Sequence, residues 1–548
     1  MKKTFIRATS AACAVLLAAC TSGNVLDVQN LNNPDVARAY ATPAGVESII
    51  GTLYQQLNNA VNTTNVQAQA HVMSLEGYST VANFGMNVRV AIPRNPIIND
   101  RGNNVDAGNL ADFSNTQKLA RNAANLTQAM DAITKGGGTT GSIAQDARDR
   151  GFAQFVNAAA LGYTAIMYDS GAIVDQTVAS NAIPPLSGYQ AVMTSALALM
   201  DSALATAGGA TAAGAFPLPS AWINGNGMTQ AQFVAFIHSW KARLRAGVAR
   251  SPAERAAVNW ASVIADAQAG ITADVSVTIG GGWRCSYDCT QMYSSNGWHE
   301  MSPMILGMAD TSGAYAAFIA QPFATRDGMQ VLIRTPDLRL PQGASRAAQQ
   351  ADTPYNGTAF TPGRYFNNRQ AADDFPGDGW GSSMYDHKRY LGIFRASLVG
   401  PEVQWSLAEN NMLLAEGYIR AGNFAAAQAL IDASRAKHGL PSIGAIASAT
   451  QSIAGGNGCV PQVPQPPAFN TVACGTIMEA MKWEKRMEIA YSVYAGWYQD
   501  SRGWGDLPQG TAIQWPVPNE EMDSRQQPFY NMGGLGLPGS AAKGTYGF

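Results

Sequence analysis

The sequence lacks the short motifs that identify several large classes of enzyme. Neither the G-x-S-x-G turn of serine hydrolases nor the P-loop of nucleotide-binding proteins is present. "HEMSP" begins like a zinc-protease motif, but Pro303 occupies the position of the second histidine. The five histidines have no close metal-ligand spacing, so the sequence predicts no metal site and no cofactor.

A glycosidase is not excluded by these absences, because its active site needs only two carboxylates that meet in space. Four acidic residues in loop-like segments could supply such a pair: Glu300, Asp373, Asp374 and Asp386. Solvated loop charges are the favoured interpretation of these residues. We therefore predict that the protein is not an enzyme, with an exported glycoside hydrolase as the alternative.

Charged residues are scarce, at 14% of the chain, and no run of about 18 apolar residues follows the N-terminal segment. The sequence therefore predicts no membrane-spanning helix. Lys and Arg number 36, and Asp and Glu number 38. Three of the basic residues lie in the first 19 positions, so 33 remain against 38 acidic residues, a net charge of −5. This balance argues against nucleic acid as a partner.

The N-terminus has the features of an export signal. A basic start, "MKK", precedes the apolar run "AACAVLL", and Leu17, Ala18, Ala19 and Cys20 resemble the lipobox of bacterial lipoproteins. We predict a signal peptide at 1–19, a lipid (diacylglycerol, palmitate) on Cys20, and a lipid-anchored linker at 20–30. Thr21 rather than Asp follows the cysteine, which favours the outer membrane.

Four cysteines remain after the signal: Cys285 and Cys289 in "CSYDC", and Cys459 and Cys474 further on. In an oxidising compartment an even number is typical of disulfides, and three pairings are possible. The two local pairs are favoured. A four-cysteine zinc site is the alternative, although neither pair has the C-x-x-C spacing of such sites.

Helical periodicity dominates the first half of the chain, with apolar residues recurring every three or four positions at 44–61, 116–136, 146–169, 189–207, 229–249 and 259–271. The clearest unit is 408–441, where a glycine turn separates two predicted helices. Its Tyr418, Gly422, Phe424 and Ala427 are spaced as in a tetratricopeptide repeat. We predict a mainly α fold, a tetratricopeptide-like helical scaffold with long loop-rich insertions.

The insertions are predicted around 280–302 and 341–395, which are rich in Gly, Asn, Asp, Tyr and Trp. Long loops in a compact protein usually have a function or are disordered, and the aromatic content favours order. A different segment, 483–507, combines charge with aromatic residues and contains no proline. We predict that it fastens helices together through six structural residues: Glu484, Arg486, Glu488, Asp500, Arg502 and Trp504.

Four landmarks in order along the chain resemble the SusD/RagB family of outer-membrane lipoproteins. They are "LDVQN" at 26–30, the 408–441 unit, "WEKRMEIAY…DSRGWGDL", and "WPVPNEEM" followed by "QQPFYN". In the 408–441 unit the matching residues are Glu416, Gly422, Ala427 and Arg435. In "WEKRMEIAY…DSRGWGDL" they are Glu484, Arg486, Glu488, Asp500, Arg502, Trp504 and Gly505. In the last landmark they are Pro516, Pro518, Glu521, Gln526, Pro528 and Tyr530. The segment "YSVYAGWYQ" departs from the family pattern, which weakens any transfer of substrate.

The resemblance implies a single SusD-like helical domain over 31–548. It also implies a lipid-anchored protein that faces the cell exterior and captures a glycan or other nutrient. Its expected partner is a SusC-like TonB-dependent outer-membrane transporter. A purely structural surface protein is the remaining alternative.

Carbohydrate recognition needs aromatic faces for sugar rings and amides or guanidinium groups for hydroxyls. Two loops combine them, and the family tends to build its ligand site in these regions. We therefore predict ligand-binding roles for Asn83, Phe84, Arg89, Arg94 and Asn95 in the first loop, and for Trp283, Tyr287, Tyr293, Asn296 and Trp298 in the second. A third stretch, with Tyr365, Trp380 and Tyr385, is a reserve candidate for ligand binding.

Overall fold

The computed structural model describes residues 40, 42–63, 65–103, 109–294, 298, 300–352, 363–375 and 377–548. The predicted signal peptide, Cys20, the linker, the segment "LDVQN" and Asn296 lie outside the described residues. Within the described part there are 19 α-helices and eight short β-strands, which confirms the predicted mainly α fold.

The helices of the first half are α1 (Pro43–Ile50), α2 (Leu53–Val61), α3 (Asn65–Met73), α4 (Met86–Val90), α5 (Asn109–Lys135), α6 (Ile143–Met167), α7 (Tyr189–Ala207), α8 (Gln230–Gly247), α9 (Pro252–Ala257) and α10 (Trp260–Gln268). Those of the second half are α11 (Pro303–Leu306), α12 (Ala314–Ala320), α13 (Arg346–Ala351), α14 (Leu391–Arg395), α15 (Leu407–Arg420), α16 (Phe424–Lys437), α17 (Ile477–Ile489), α18 (Gly496–Trp504) and α19 (Asn519–Ser524).

The strands form four antiparallel pairs: β1 (Ser170–Ala172) with β2 (Leu186–Gly188), β3 (Val275–Ile279) with β6 (Gly400–Trp405), β4 (Phe366–Asn368) with β5 (Tyr385–His387), and β7 (Gln462–Pro464) with β8 (Val472–Cys474). β3 ends just before the first predicted loop-rich segment and β6 begins just after the second, whereas β4 and β5 both lie within the second segment.

Local sequence signals account for several helix ends. Thr229 and Gln232 form a capping box at the start of α8, in which each side chain accepts a hydrogen bond from the other residue's backbone N–H. The turn between α15 and α16 contains Gly422, whose φ of 75° lies in the left-handed region that glycine adopts without strain. The helix predicted over 44–61 is instead two helices, which are separated by a turn at Gly51 and Thr52.

Neighbouring helices pack against one another along much of the chain. α5 packs on α6, α6 on α7, α7 on α8, α8 on α10, and α10 on α15, which contacts both α16 and α17. This stacking is the arrangement of a helical-repeat scaffold. Small residues permit it: a Cβ added at Gly162 of α6 would lie 2.7 Å from the methyl carbons of Leu244 of α8.

The interior contains two large apolar regions. One lies among the first eight helices and includes Phe155, Trp240 and Trp405. The other lies beneath the loop-rich half and includes Tyr385 and Trp483. None of the described helices combines the length and the apolar content that a membrane crossing requires.

Candidate ligand-binding face

The two loops that the sequence predicts as a binding site meet in the structure. Phe84, from the short 3-10 helix Asn83–Gly85, contacts Trp298 edge to face, with ring centroids 5.7 Å apart and an interplanar angle of 68°. Both residues are half-buried, and Asn83 is exposed. We call Asn83, Phe84 and Trp298 the aromatic corner. It combines ring surface with an amide, the chemistry that a sugar requires.

The backbone at Phe84 is in an uncommon conformation. Its φ is 56° and its ψ is 17°, and Gly85, which follows, has a φ of 70°. A bulky residue in the left-handed region costs about 1–3 kcal/mol and persists only where the surrounding structure holds it. Such positions are concentrated at ligand sites. The backbone conformation of Phe84 is therefore a second indication of a ligand site, independent of its ring contact.

The structure corrects the prediction that Trp283 and Tyr287 present their rings to a ligand. Trp283 is 7% exposed and packs against Tyr54 with ring centroids 6.2 Å apart, and Tyr287 is 1% exposed. Burial of these large rings in the core removes their apolar surface from water, which stabilises the fold more than a position at the loop surface would. Tyr287 nevertheless supports the aromatic corner, because its hydroxyl donates a 3.0 Å hydrogen bond to the Trp298 carbonyl.

The two arginines of the first loop are also buried, so their predicted contact with ligand is corrected as well. Arg89 donates hydrogen bonds to the carbonyl oxygens of Asn95 and Pro96, at 3.3 and 2.7 Å. Arg94 donates from Nε to Thr511 Oγ1 at 3.1 Å. A guanidinium has five N–H donors, and here they hold the loop backbone in place. Asn95 itself is exposed.

The second loop is fastened by a disulfide. The sulfur atoms of Cys285 and Cys289 are 2.00 Å apart, and those of Cys459 and Cys474 are 2.06 Å apart. The structure thus contains the two local pairs, and sulfurs bonded in this way are not zinc ligands.

Tyr293 is half-buried, and its hydroxyl accepts a 3.1 Å hydrogen bond from the backbone N–H of Tyr390.

A buried charged cluster lies behind Tyr287. His71 of α3 lies between the rings of Tyr287 and Tyr491, with centroid distances of 5.4 and 4.5 Å. Its Nδ1 is 2.5 Å from Glu76 Oε2, and its Nε2 is 3.0 Å from Asp288 Oδ1. Burial alone would lower the pKa of His71, but the two carboxylates raise it to about 10. The resulting cation ties the disulfide loop, through Asp288, to α3.

The reserve stretch offers little ring surface to a ligand. Tyr385 is 1% exposed and Trp380 8% exposed. Tyr365 is half-buried, and its hydroxyl donates a 3.2 Å hydrogen bond to Glu488 Oε2. The guanidinium of Arg389 lies 4.4 Å from the centroid of the Tyr365 ring. These three aromatics therefore pack the loop against the helices.

Two of the four carboxylates considered for hydrolysis, Glu300 and Asp386, lie in the interior, whereas Asp373 is exposed and Asp374 is half-buried. Glu300 and Asp386 are both buried, and they lie 3.7 and 3.5 Å from Nη1 of Arg369. Burial raises the pKa of Glu300 to about 8. Asp374 forms an ion pair with Arg346 at 2.6 Å. In this arrangement neither Glu300 nor Asp386 is accessible to a polysaccharide.

Solved structures of SusD-like proteins share this helical architecture. A SusD homolog from Parabacteroides distasonis is 14% identical, with a TM-score of 0.53 over 86% of this chain and 87% of that one. NanU from B. fragilis is 11% identical, with a TM-score of 0.53 over 92% and 98%. A SusD superfamily protein from Bacteroides vulgatus is 12% identical, with a TM-score of 0.50 over 91% and 99%. The chain has a SusD-like fold. No family model and no curated protein matches the sequence.

In this SusD-like fold the charged segment at 483–507 lies inside the protein. The guanidinium of Arg339 donates hydrogen bonds to Asp337, Glu484 and Glu488, at distances from 2.7 to 3.1 Å. Burial alone would raise the pKa of Glu488, but the hydrogen bond from His438 and the charge of Arg339 lower it to about 2. The cluster joins α17 to the segment around Arg339.

The other four predicted structural residues are also buried, and each contacts a second segment of the SusD-like scaffold. The contacts are Arg486 with Asp506 at 2.5 Å, Asp500 with Lys485 at 2.8 Å, Arg502 with the Gly247 carbonyl at 2.8 Å, and Trp504 Nε1 with Glu416 Oε1 at 3.2 Å. The first two contacts join α17 to α18 and the residue that follows it closely, and the last two join α18 to α8 and α15.

A polar groove that no sequence motif indicates lies along α2 and α5 of the SusD-like scaffold. Its volume is about 760 Å³. Four residues of α5 line it at a spacing of three or four positions, which places them on one helical stripe: Asn115, Lys118, Asn122 and Asn125. In the sequence this stripe has the same pattern as any solvated face of a helix, so the pattern alone does not indicate a groove. Its concave setting depends on the elements that pack around it.

Proposed function

We propose that the protein is a cell-surface lipoprotein that binds an oligosaccharide or similar nutrient and passes it to a TonB-dependent outer-membrane transporter. The SusD-like fold supports this role, together with the export signal and lipobox that the sequence contains. Anchoring through Cys20 and a partner transporter are parts of the proposal. The proposal also states that the protein binds its ligand without cleaving it. The burial of Glu300 and Asp386 beside Arg369 supports this part.

The aromatic corner is the observation that carries the proposal. Phe84 and Trp298 come from loops more than two hundred residues apart, and yet their rings meet at the surface. A sugar ring packs its apolar face on such rings and bonds its hydroxyls to a neighbouring amide, here Asn83. Tyr287 and its disulfide loop hold Trp298 in place before binding, which lowers the cost of ordering the site.

The expected size of the effect follows from ring area. An aromatic side chain buries about 150–250 Å², and a sugar covering about a third of it removes on the order of 60 Å² from water. At about 25 cal/mol per Å², this is about 1.5 kcal/mol, or roughly tenfold in affinity for each ring.

The test is affinity gel electrophoresis of the purified protein against a panel of neutral polysaccharides. We expect at least one polysaccharide to retard the protein, and the Phe84→Ala/Trp298→Ala variant to lose that retardation. Phe424→Ala is the matched control, because Phe424 is also half-buried but lies at the start of α16. Unchanged retardation of the double variant, or no retardation of the parent protein by any member of the panel, would refute the proposed site.

Delivery to a transporter is tested separately, in the producing cell. The lipidated protein should co-purify with a TonB-dependent barrel from detergent-solubilised outer membranes. Release of shortened sugars from the same polysaccharides by the purified protein would instead support a glycoside hydrolase.

A further inference from the structure

The polar groove between α2 and α5 is a second concave surface, and it does not include the aromatic corner. Its walls also include the loop that precedes β2, the segment at Arg284, and Arg525, which follows α19. At about 760 Å³, it is within the range of sites that enclose small organic ligands.

Amide side chains dominate the floor of the groove: Gln56, Asn59, Asn115, Gln117, Asn122 and Asn125. Some bond to one another, as when Asn122 Nδ2 donates a 2.9 Å hydrogen bond to Gln56 Oε1. The side-chain oxygen of Asn125 is buried and has no hydrogen-bond partner in the described part of the chain. This oxygen has no exposed surface, so the hydroxyls of a ligand would bond to the exposed atoms of these amides.

The groove also carries unbalanced positive charge. Lys118 and Arg284 line it, are exposed, and form no ion pair with any residue that the structure describes. Arg121 donates to the carbonyl oxygen of Ala182, at 2.8 Å, which leaves its charge without a counter-ion there. Among the described lining residues, Glu521 is the one carboxylate, and it is bonded to Arg525. The groove thus carries four cations and one anion, although the net charge of the chain is −2.

We propose that this groove binds an acidic oligosaccharide, through its carboxylate or sulfate groups at Lys118 and Arg284 and its hydroxyls at the amides. Guanidinium and ammonium groups pair with such anions, and amides both donate to and accept from hydroxyl groups. The groove is a second site, so the inference shares a ligand class with the proposed function but does not depend on the aromatic corner.

Titration calorimetry with defined acidic oligomers tests the inference. The probes are oligogalacturonate, which carries carboxylates, and a sulfated chondroitin oligosaccharide, with free galacturonate and inorganic sulfate as single-group controls. We expect at least one oligomer to bind more tightly than its single-group control, and the affinity to fall as NaCl rises from about 50 to about 200 mM. Binding of the single group as tight as that of the oligomer would overturn the oligosaccharide assignment.

Lys118→Gln/Arg284→Gln should weaken oligomer binding roughly tenfold or more. The matched control is Lys135→Gln/Arg334→Gln, which removes the same charge from exposed residues that do not line the groove. Equal loss in both pairs, or no oligomer binding by the parent protein, would overturn the assignment.

The two sites are distinguished by exchanging the variants between the assays. Phe84→Ala/Trp298→Ala should keep its affinity for the acidic oligomer, and Lys118→Gln/Arg284→Gln should keep its retardation by neutral polysaccharide. Loss of acidic-oligomer binding in the aromatic variant alone would move that ligand to the aromatic corner and refute the groove.

Discussion

Glu402→Gln is expected to make the protein more stable at neutral and alkaline pH. Glu402 lies in β6 and is 4% exposed. Its Oε1 is 3.4 Å from the sulfur of Cys285, and its Oε2 has no hydrogen-bond partner in the described structure. It lines a small cavity of about 40 Å³ that Asp288 also lines. Burial, followed by the charge of Asp288, raises the pKa of Glu402 from 4.5 to about 8.

The sign follows from proton binding in the two states. Between pH 4.5 and about 8 the unfolded chain releases the Glu402 proton while the folded protein keeps it, so the free energy of unfolding falls as pH rises. One pH unit corresponds to about 1.4 kcal/mol, which gives a loss on the order of 3 kcal/mol by pH 7. The amide of the Glu402→Gln variant cannot ionise and escapes this loss, while it retains the shape of the neutral side chain.

Urea unfolding at about pH 5, 7 and 9 measures the effect. The stability of Glu402→Gln should be close to that of the parent protein at about pH 5 and exceed it by a few kcal/mol at about pH 7 and above. Glu520→Gln, at an exposed position of α19, is the control and should show no such divergence. Parallel stability curves for Glu402→Gln and the parent protein would refute the reasoning and indicate that the ionised carboxylate is solvated in the cavity.

Two further substitutions test the scaffold by the same unfolding assay. Arg339→Met removes the cation that the buried Asp337, Glu484 and Glu488 share, and should lower the free energy of unfolding by about 3–5 kcal/mol, while Arg334→Met, at an exposed position, should change it little. Gly151→Ala places a Cβ 2.5 Å from the Cβ and 2.8 Å from the backbone N of Ala207, so α6 and α7 must separate at a cost of about 1–3 kcal/mol. Gly214→Ala, whose Cβ would meet its nearest atom at 3.7 Å, is the matched control. A loss for Gly151→Ala no larger than that for Gly214→Ala would contradict the packing argument.

Helices with a strong periodic pattern were predictable from the chain alone. The unit predicted over 408–441 corresponds to α15 and α16, with the turn at Gly422 between them. Helix formation depends on residues three or four positions apart, so local sequence carries the information. The division of the helix predicted over 44–61 was not predicted from the sequence. The close approach at Gly51 was not predictable either, because Trp222, whose ring would crowd a Cβ there, is distant in sequence.

The candidate binding residues were only partly predictable from the sequence. Composition identified two aromatic, amide-rich loops, and the structure brings Phe84 and Trp298 together from them. It places Trp283, Tyr287 and Arg94 in the interior. Aromatic and arginine side chains can serve either a ligand or the core, and their residue type does not distinguish the two uses.

The sequence by itself determined the helical class, the resemblance to SusD-like proteins and the absence of common catalytic motifs, because these depend on residue type and short-range spacing. Tertiary structure alone decided which side chains are exposed. It made Tyr287 a support for Trp298, and it turned a polar stripe on α5 into one wall of a groove with Lys118 and Arg284. Burial and concavity arise from contacts between segments hundreds of residues apart, and those contacts exist only once the helices have packed.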